Sequence, residues 1–460
     1  MSIAKQIIYG STKDLEKALR LEEDLNVVDE YGYTPLIQTA IVNNISKTQL
    51  LLKNNAQIDF PDLTGRTALH WAASNNNYSL CKLLLQKGAN PNAYTNTGQG
   101  ALVIPYLKKY DSIRRLLMKN GANLDFALDF INAKLMGHRF DLEGRVDVLD
   151  PTNTFIEVEL EGFYFESSIN ILMHSLQDFR HNFGGKNLEK YFPQLEIIID
   201  ALKNAANLLQ YQHYLVDIEK NKKTIHTLLD RELLVLPIAF AGHAITFIKF
   251  WDLLIRCDRG EFGKKHGTVI AYQMGNPHAL TYDVLKQLLY RRQDQEFINV
   301  GLQRYLNLEP VWQLNLPPQI AGNCSWANVE AVVPTTIFLL LFDQQGGRQA
   351  KSCQNQALQF YHEWVEWDQD RALHFAIQSF QEASAARKAA QATQLAAVLF
   401  QYCKYGDPKD HERAEKNLPL LTIPEYQYIL KSYLTVFAKE KDHEKLRNLR
   451  EFLDDFGVNL

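Results

Sequence analysis

Gly65-Arg66-Thr67-Ala68-Leu69-His70-Trp71-Ala72-Ala73 opens a unit that recurs along the N-terminal part of the chain. The same start is seen in Gly32-Tyr33-Thr34-Pro35-Leu36 and in Gly98-Gln99-Gly100-Ala101-Leu102, at a period of 33 residues both times. A second series keeps that period: Leu51-Leu52 to Asn55-Ala56, Leu84-Leu85 to Gly88-Ala89, and Leu117-Met118 to Gly121-Ala122. A fixed period of this length marks a stack of small helical units, each unable to bury its apolar face alone. The threonine is placed to start a first helix, leucine and alanine to pack it on its neighbour, and the glycine to end a second helix in a left-handed turn.

These residues resemble the ankyrin repeat. Thr67 to Ala73, and Leu83-Leu84-Leu85-Gln86-Lys87-Gly88-Ala89-Asn90-Pro91-Asn92, match it almost position for position. Residues 1 to 30 carry only the second-helix pattern (Leu15, Ala18, Leu19) and are expected to cap the array. The fourth repeat decays after Asp125, so about four units are expected over residues 1–130. The resemblance implies a partner surface on the hairpin tips: Glu30, Tyr31 and Tyr33; Leu63 and Arg66; Tyr94, Asn96 and Gln99. Tyrosine and arginine are effective interface anchors, although any one of these is equally a solvated loop residue. His70 occupies the repeat's own TxLH position and is read as structural. Asn92 occupies the loop where some ankyrin proteins are hydroxylated by a host asparaginyl hydroxylase; the other reading is an ordinary turn asparagine.

The 460 residues allow about three domains. Apolar content of 46% and charged content of 22% are ordinary for a globular protein. A net charge of -4 gives no electrostatic reason to expect nucleic acid or an anionic membrane as partner. Met1 to Gly10 lacks the features of a signal peptide, and the apolar run Val329–Phe342 is short for a bilayer, so it is expected to be a core helix. Cys81, Cys257, Cys324, Cys353 and Cys403 are scattered, without metal-ligand spacing. Neither a disulfide framework nor a metal or other cofactor is expected.

Beyond residue 131 the period is lost. Strands are expected at Arg139–Leu142 and Phe155–Leu160, split by a turn at Asp150 to Asn153, followed by helices to about Leu229. A strand group comes next: Leu233–Phe240, His243–Phe250, Leu253–Cys257 and Gly267–Gln273. A helix around Leu285–Tyr290 and a loop rich in proline and asparagine then lead to Pro318-Gln319-Ile320-Ala321-Gly322-Asn323-Cys324-Ser325-Trp326. There a turn delivers a cysteine to the first turn of an apolar helix, where backbone N–H groups favour thiolate. Acyl transfer by cysteine needs an imidazole in reach, a group to orient it and donors for the oxyanion. His243 heads one strand, and Asp258 ends the adjacent one and can hold the imidazole tautomer. Gln319 can serve the oxyanion beside the Cys324 amide. A cysteine opening an apolar helix is also commonly a core thiol, His243 a core histidine and Asp258 a turn residue.

The order His, Asp, Gln, Cys over residues 233 to 342 resembles the peptidase clan of adenovirus protease, the SUMO-specific proteases and the YopJ-type acyltransferases. After Gly346-Gly347 the chain reads as helices, with Ala357, Phe360, Trp364 and Trp367 as one stripe and a charged segment from Glu440 to Phe456. That segment, with Val458 and Leu460, resembles the C-terminal signal of proteins exported by the Legionella Dot/Icm type IV system. An exposed amphipathic helix reads the same way.

The expected architecture is multidomain: an all-α ankyrin solenoid over 1–130, an α+β cysteine-protease-like domain over 131–345 and an α-helical region over 346–460. As a whole the chain resembles the Legionella ankyrin-repeat effectors of the AnkH type. That resemblance implies type IV secretion into a host cell, acting in its cytoplasm or nucleus, and a host protein bound by the repeats. It also implies a papain-like pocket of Cys324, His243 and Asp258 that cleaves or modifies a host protein as a thiol hydrolase. A related acyltransferase is an alternative for which Lys264 and Lys265 are the nearest basic residues. A non-catalytic interaction scaffold retaining a protease-like fold is the other.

Overall fold

The turn that opens each repeat is built around one side chain. Asp29 Oδ1 accepts the N–H groups of Tyr31 and Tyr33, both at 2.9 Å, and Asp62 Oδ1 accepts those of Thr64 and Arg66. In the third repeat the Thr95 hydroxyl takes the same place, accepting from Thr97 and Gln99. Each turn closes on a glycine at positive φ, Gly32 at 82°, Gly65 at 85° and Gly98 at 82°, which is the reason for glycine at period 33. Helices α1 (Ile3–Ile8), α2 (Thr12–Leu19), α3 (Pro35–Ile41), α4 (Ile45–Lys53), α5 (Ala68–Ser74), α6 (Tyr78–Gln86), α7 (Val103–Leu107) and α8 (Asp111–Lys119) form the array. The second helices end at Asn55, Gly88 and Gly121, all at positive φ, and the next N–H returns to the last turn (Ala56 to Leu51 O, Ala89 to Leu84 O, Ala122 to Leu117 O). The cap at the N-terminal end is fixed by Lys47, whose Nζ donates to the carbonyls of Gln6, Ile7 and Gly10.

The computed structural model describes residues 3–20, 24–212, 216–240, 242–291, 293–320 and 322–458, and these divide into two compact units. One takes the chain up to Ala133 together with Arg145–Val158; the other takes Lys134–Gly144 and nearly all that follows Glu159. The regions expected over 131–345 and 346–460 thus fall largely within one unit. Leu460 lies outside the described residues.

Around residue 130 the structure departs from expectation. Leu124–Arg139 is one long helix, α9, started by Asn123 Oδ1 on the Phe126 N–H. Its buried residues Phe126, Phe130, Ala133 and Met136 recur at helical spacing. No strand forms at 139–142; the hairpin is β1 (Arg145–Leu149) with β2 (Phe155–Glu159). Its turn repeats the repeat-turn chemistry, with Asp150 Oδ1 accepting from Thr152 and Thr154.

The second unit is organised around an antiparallel meander, β3 (Leu233–Phe240), β4 (His243–Phe250), β5 (Leu253–Cys257), β6 (Val269–Met274) and β7 (Leu308–Gln313), in sequential order. Strand β7, preceded by a short helix at Leu302–Leu306, occupies what the sequence suggested was loop. It is an edge strand with mostly exposed side chains and Pro310 beside a bulge, so it lacks an apolar alternation to read. On one face of the sheet Leu236, Ile245, Phe247 and Leu254 join a core with residues of flanking helices, including Ile225, Leu285, Leu288 and Ile298. The helix Phe192–Leu209 packs on β3 and gives Leu208 to that core, and the helix α10 (Cys324–Glu330) packs on β4. A second helix, α11 (Val332–Gln344), continues α10. Together Cys324–Gln344 is long and apolar enough to cross a membrane, yet it is mostly buried inside the protein, as a core helix is. The long helix Ala350–Glu382 packs on α11 and buries Ala357, Phe360 and Trp364.

Candidate active site

The β4–β5 register pairs Thr246 with Cys257 and Phe250 with Leu253. Continued past the strand end, it puts Gly260 beside His243 and Asp258 on the diagonal. Diagonal neighbours on adjacent strands are within reach of long side chains. His243 Nε2 and Asp258 Oδ1 are 2.9 Å apart. A Cβ on Gly260 would stand 2.7 Å from His243 Cε1 and 3.0 Å from Nε2, so only glycine leaves room for the ring. Phe240 packs its edge against the imidazole at 5.5 Å between centroids.

Asp258 is buried with no exposed side-chain surface, and its second oxygen is held by Arg256: Nη2 to Oδ2 is 2.6 Å. Arg256 also donates to Asn299 Oδ1 at 2.6 Å and to Ile298 O, and it lies over the Phe262 ring at 3.7 Å. The Gly260 N–H completes Asp258 Oδ1 at 3.1 Å. Burial would raise this carboxyl, but His243 and Arg256 outweigh it and hold the group below the usual carboxylate range.

Cys324 is the first residue of α10 and the one cysteine of the five that is not buried. The His243 imidazole and the backbone N–H groups of Ala244 and Ser325 lie near enough to its sulfur to act on the thiol. Since Nε2 is engaged by Asp258, Nδ1 is the ring nitrogen left for sulfur. Burial alone would push this thiol up; the imidazole and the two N–H groups pull it below the ordinary cysteine value. Burial likewise disfavours a charged imidazole, but Asp258 and Cys324 prevail, raising His243 to about 9. By contrast burial pushes Cys81 and Cys257 up to about 12. Cys257 points to the opposite side of β5 from this site, toward Thr335.

Gln319 is brought to the same place. Its N–H donates to Arg259 O at 2.9 Å, and its Oε1 is 3.4 Å from Asn328 Nδ2, so Nε2 is the end of the amide that Asn328 does not hold. Gln319, Ile320, His243, Asp258, Arg256 and Phe262 are among the residues lining a cavity of about 350 Å³. Cys324 adjoins it through His243 rather than lining it. Lys264 is on this rim, paired with Glu261 at 3.1 Å. Among the described residues no group of three or more His, Cys, Asp or Glu side chains is placed to hold a metal ion.

Several residues that build the site were not singled out from the sequence. Arg256 interrupts the apolar run Leu253-Leu254-Ile255 and must have a buried partner, which is a readable signal. Asn323, at the cap of α10, accepts from His138 Nδ1 at 2.6 Å and donates to Asp141 Oδ1 at 2.6 Å. His138 stacks on Trp326, and burial drives its pKa down to about 3. Nothing in its sequence position links His138 to Asn323.

On the repeats, Glu30, Tyr31, Leu63, Tyr94 and Asn96 are exposed, Leu63 at 71%. Tyr33 and Arg66 are half-buried and pack on Trp71. Gln99 is a correction: it is 3% exposed and turned inward, because the turn on Thr95 and the His70 contact enclose it. His70 takes the Thr67 N–H on Nδ1, so Nε2 donates to Gln99 O at 3.2 Å, and burial lowers its pKa to about 4. It is structural. Asn92 joins adjacent repeats, donating to Gly121 O at 2.8 Å and accepting the Asn123 N–H at 2.8 Å.

The repeats and the site define an ankyrin-repeat protein joined to an α+β unit with a clustered cysteine, histidine and aspartate; residues 2–95 and 48–127 match the ankyrin repeat family in three copies. No curated protein matches the chain. Among solved structures, the Legionella effector AnkH is 43% identical over 100% of this chain and 98% of its own, with a TM-score of 0.90. The chain belongs to the family of that effector.

Proposed function

We propose that the chain is a translocated effector that binds a host protein through its ankyrin repeats and acts on a host protein by thiol-dependent acyl chemistry at Cys324. The effector role is supported by full-length similarity to a Legionella effector. A type IV secretion route and action in the host cytoplasm or nucleus are part of the same proposal; the likeness to that effector supports entry into a host cell. Partner binding is supported by the repeat family and by exposed Tyr31, Leu63 and Tyr94 on successive tips.

The observation that carries the chemistry is the chain His243 to Asp258 to Arg256, with the Cys324 thiol beside the imidazole at the start of α10. In this reading the Cys324 thiolate attacks a carbonyl carbon and a C–S bond forms. Imidazolium at His243 gives its proton to the departing nitrogen as the C–N bond breaks. Water then attacks the thioester, His243 takes its proton, and the C–S bond breaks to release acid and thiolate. An amine in place of water makes the same site an acyltransferase. Gln319 Nε2 and the Cys324 amide are the donors assigned to the oxyanion. Asp258 holds the ring's tautomer without itself taking the proton.

The test is competitive alkylation of the full chain with limiting iodoacetamide at pH 6.5, with each cysteine followed by mass spectrometry. Cys324 should react at least about threefold faster than a simple thiol peptide, since each unit of lowered pKa gains tenfold in thiolate and loses about threefold in nucleophilicity. A rate equal to that of the peptide removes the activated thiolate and leaves a non-catalytic scaffold.

A further inference from the structure

Asn328 lies one helical turn beyond Cys324, on the same face of α10, and has no exposed surface. A buried amide must find partners for both its oxygen and its nitrogen. Here each partner adjoins a residue of the site. Oδ1 accepts the N–H of Arg259, the residue after Asp258, at 2.7 Å. Nδ2 donates to the carbonyl of Ala244, the residue after His243, at 2.6 Å, and lies 3.4 Å from Gln319 Oε1. We infer that Asn328 is a positioning residue that sets the spacing of Cys324, His243 and Asp258. The inference rests on the thiol reading proposed above.

The Ala244 peptide is gripped at both ends by one helix. Its N–H faces the Cys324 sulfur and its carbonyl is held by Asn328. Strand β4 therefore cannot slide along α10 without breaking both contacts. The end of β5 is tied to the same side chain through Arg259. A shift of about 1 Å in such a site is enough to cost a large factor in rate. An apolar residue of similar size at 328 would fill the space but leave Ala244 O and Arg259 N without this partner. Asn328 touches no reacting atom except through these neighbours and the Gln319 amide.

The experiment measures alkylation of Cys324 from pH 5 to 10 in the full chain, comparing the unaltered protein with Asn328→Ala, Asn328→Asp and Val329→Ala. Val329 is equally buried on the same helix and has no polar group. Asn328→Ala should slow the reaction at pH 7 about fivefold or more and move its midpoint toward that of an ordinary thiol. Asn328→Asp fills the same volume and keeps an acceptor for Arg259 but loses the donor to Ala244. It should slow the reaction too, and it decides the matter if the alanine variant does not fold. Val329→Ala should lower Tm and leave the pH profile in place. Unchanged profiles in the Asn328 variants, or an equal change in Val329→Ala, overturn the inference. An ordinary thiol profile in the unaltered protein overturns the thiol reading itself, so the two failures are told apart.

Discussion

Replacing His243 with glutamine keeps a neutral side chain of similar reach but removes the group able to carry charge beside Cys324. Two backbone N–H groups, from Ala244 and Ser325, remain at the sulfur against the burial that opposes a thiolate. The thiol should then return to at least its ordinary value, near 8.5, which leaves a few per cent of thiolate at pH 7. At a pH below both values, each unit by which the unaltered thiol lies under that value is about a tenfold loss of thiolate in the variant. The more basic thiolate regains about threefold in nucleophilicity per unit, so the net rate at neutral pH should fall about threefold for each unit of lowering that is lost. The assay is the second-order rate of iodoacetamide alkylation at Cys324 from pH 5 to 10. The unaltered protein should give a first step below the ordinary cysteine value and a second near the His243 value of about 9; the variant should give a single step at or above the ordinary cysteine value. Superimposable profiles would refute the pairing. Stability should follow the same sign. The folded value of His243 lies above its ordinary 6.5, so its contribution is full below 6.5 and is lost as pH rises through about 9. The Tm difference between the two proteins should therefore shrink across that window.

Gly260→Ala should displace the imidazole, since the new Cβ stands 2.7 Å from Cε1, and should slow Cys324 alkylation several-fold; an unchanged rate shows that the ring can be accommodated elsewhere. Asp258→Asn leaves the Arg256 guanidinium buried beside a neutral amide and should cost about 3–5 kcal/mol in urea unfolding at pH 7. Because the folded Asp258 value is lowered, that cost should shrink as the pH is taken down through the carboxylate range. Lys47→Met removes the donor from three carbonyls at the end of α1 and should destabilise residues 3–10 by about 1–3 kcal/mol. Hydrogen exchange of those amides measures it.

How much was legible follows the range of the interactions. The repeat boundaries could be read because a glycine at positive φ and a helix-capping threonine are local requirements that recur at the period. The inward turn of Gln99 could not, because it depends on the His70 contact from the preceding repeat. The hairpins through β3, β4 and β5 were read within a residue, since alternation and a two-residue turn set their register. Strand β7 was missed because an exposed edge strand has little apolar alternation.

By itself the sequence determined a repeat array, a sheet with a histidine at one strand head and a carboxylate at the next strand end, and a cysteine opening an apolar helix. Each follows from side-chain periodicity and turn chemistry within a few residues. Only the tertiary structure decided that these meet. The contact of Cys324 with His243 depends on how α10 docks on β4, and that docking is fixed by the buried amide of Asn328 and the bonds of Asn323 to His138 and Asp141. Those partners are chosen by packing between distant segments, where no local pattern constrains them.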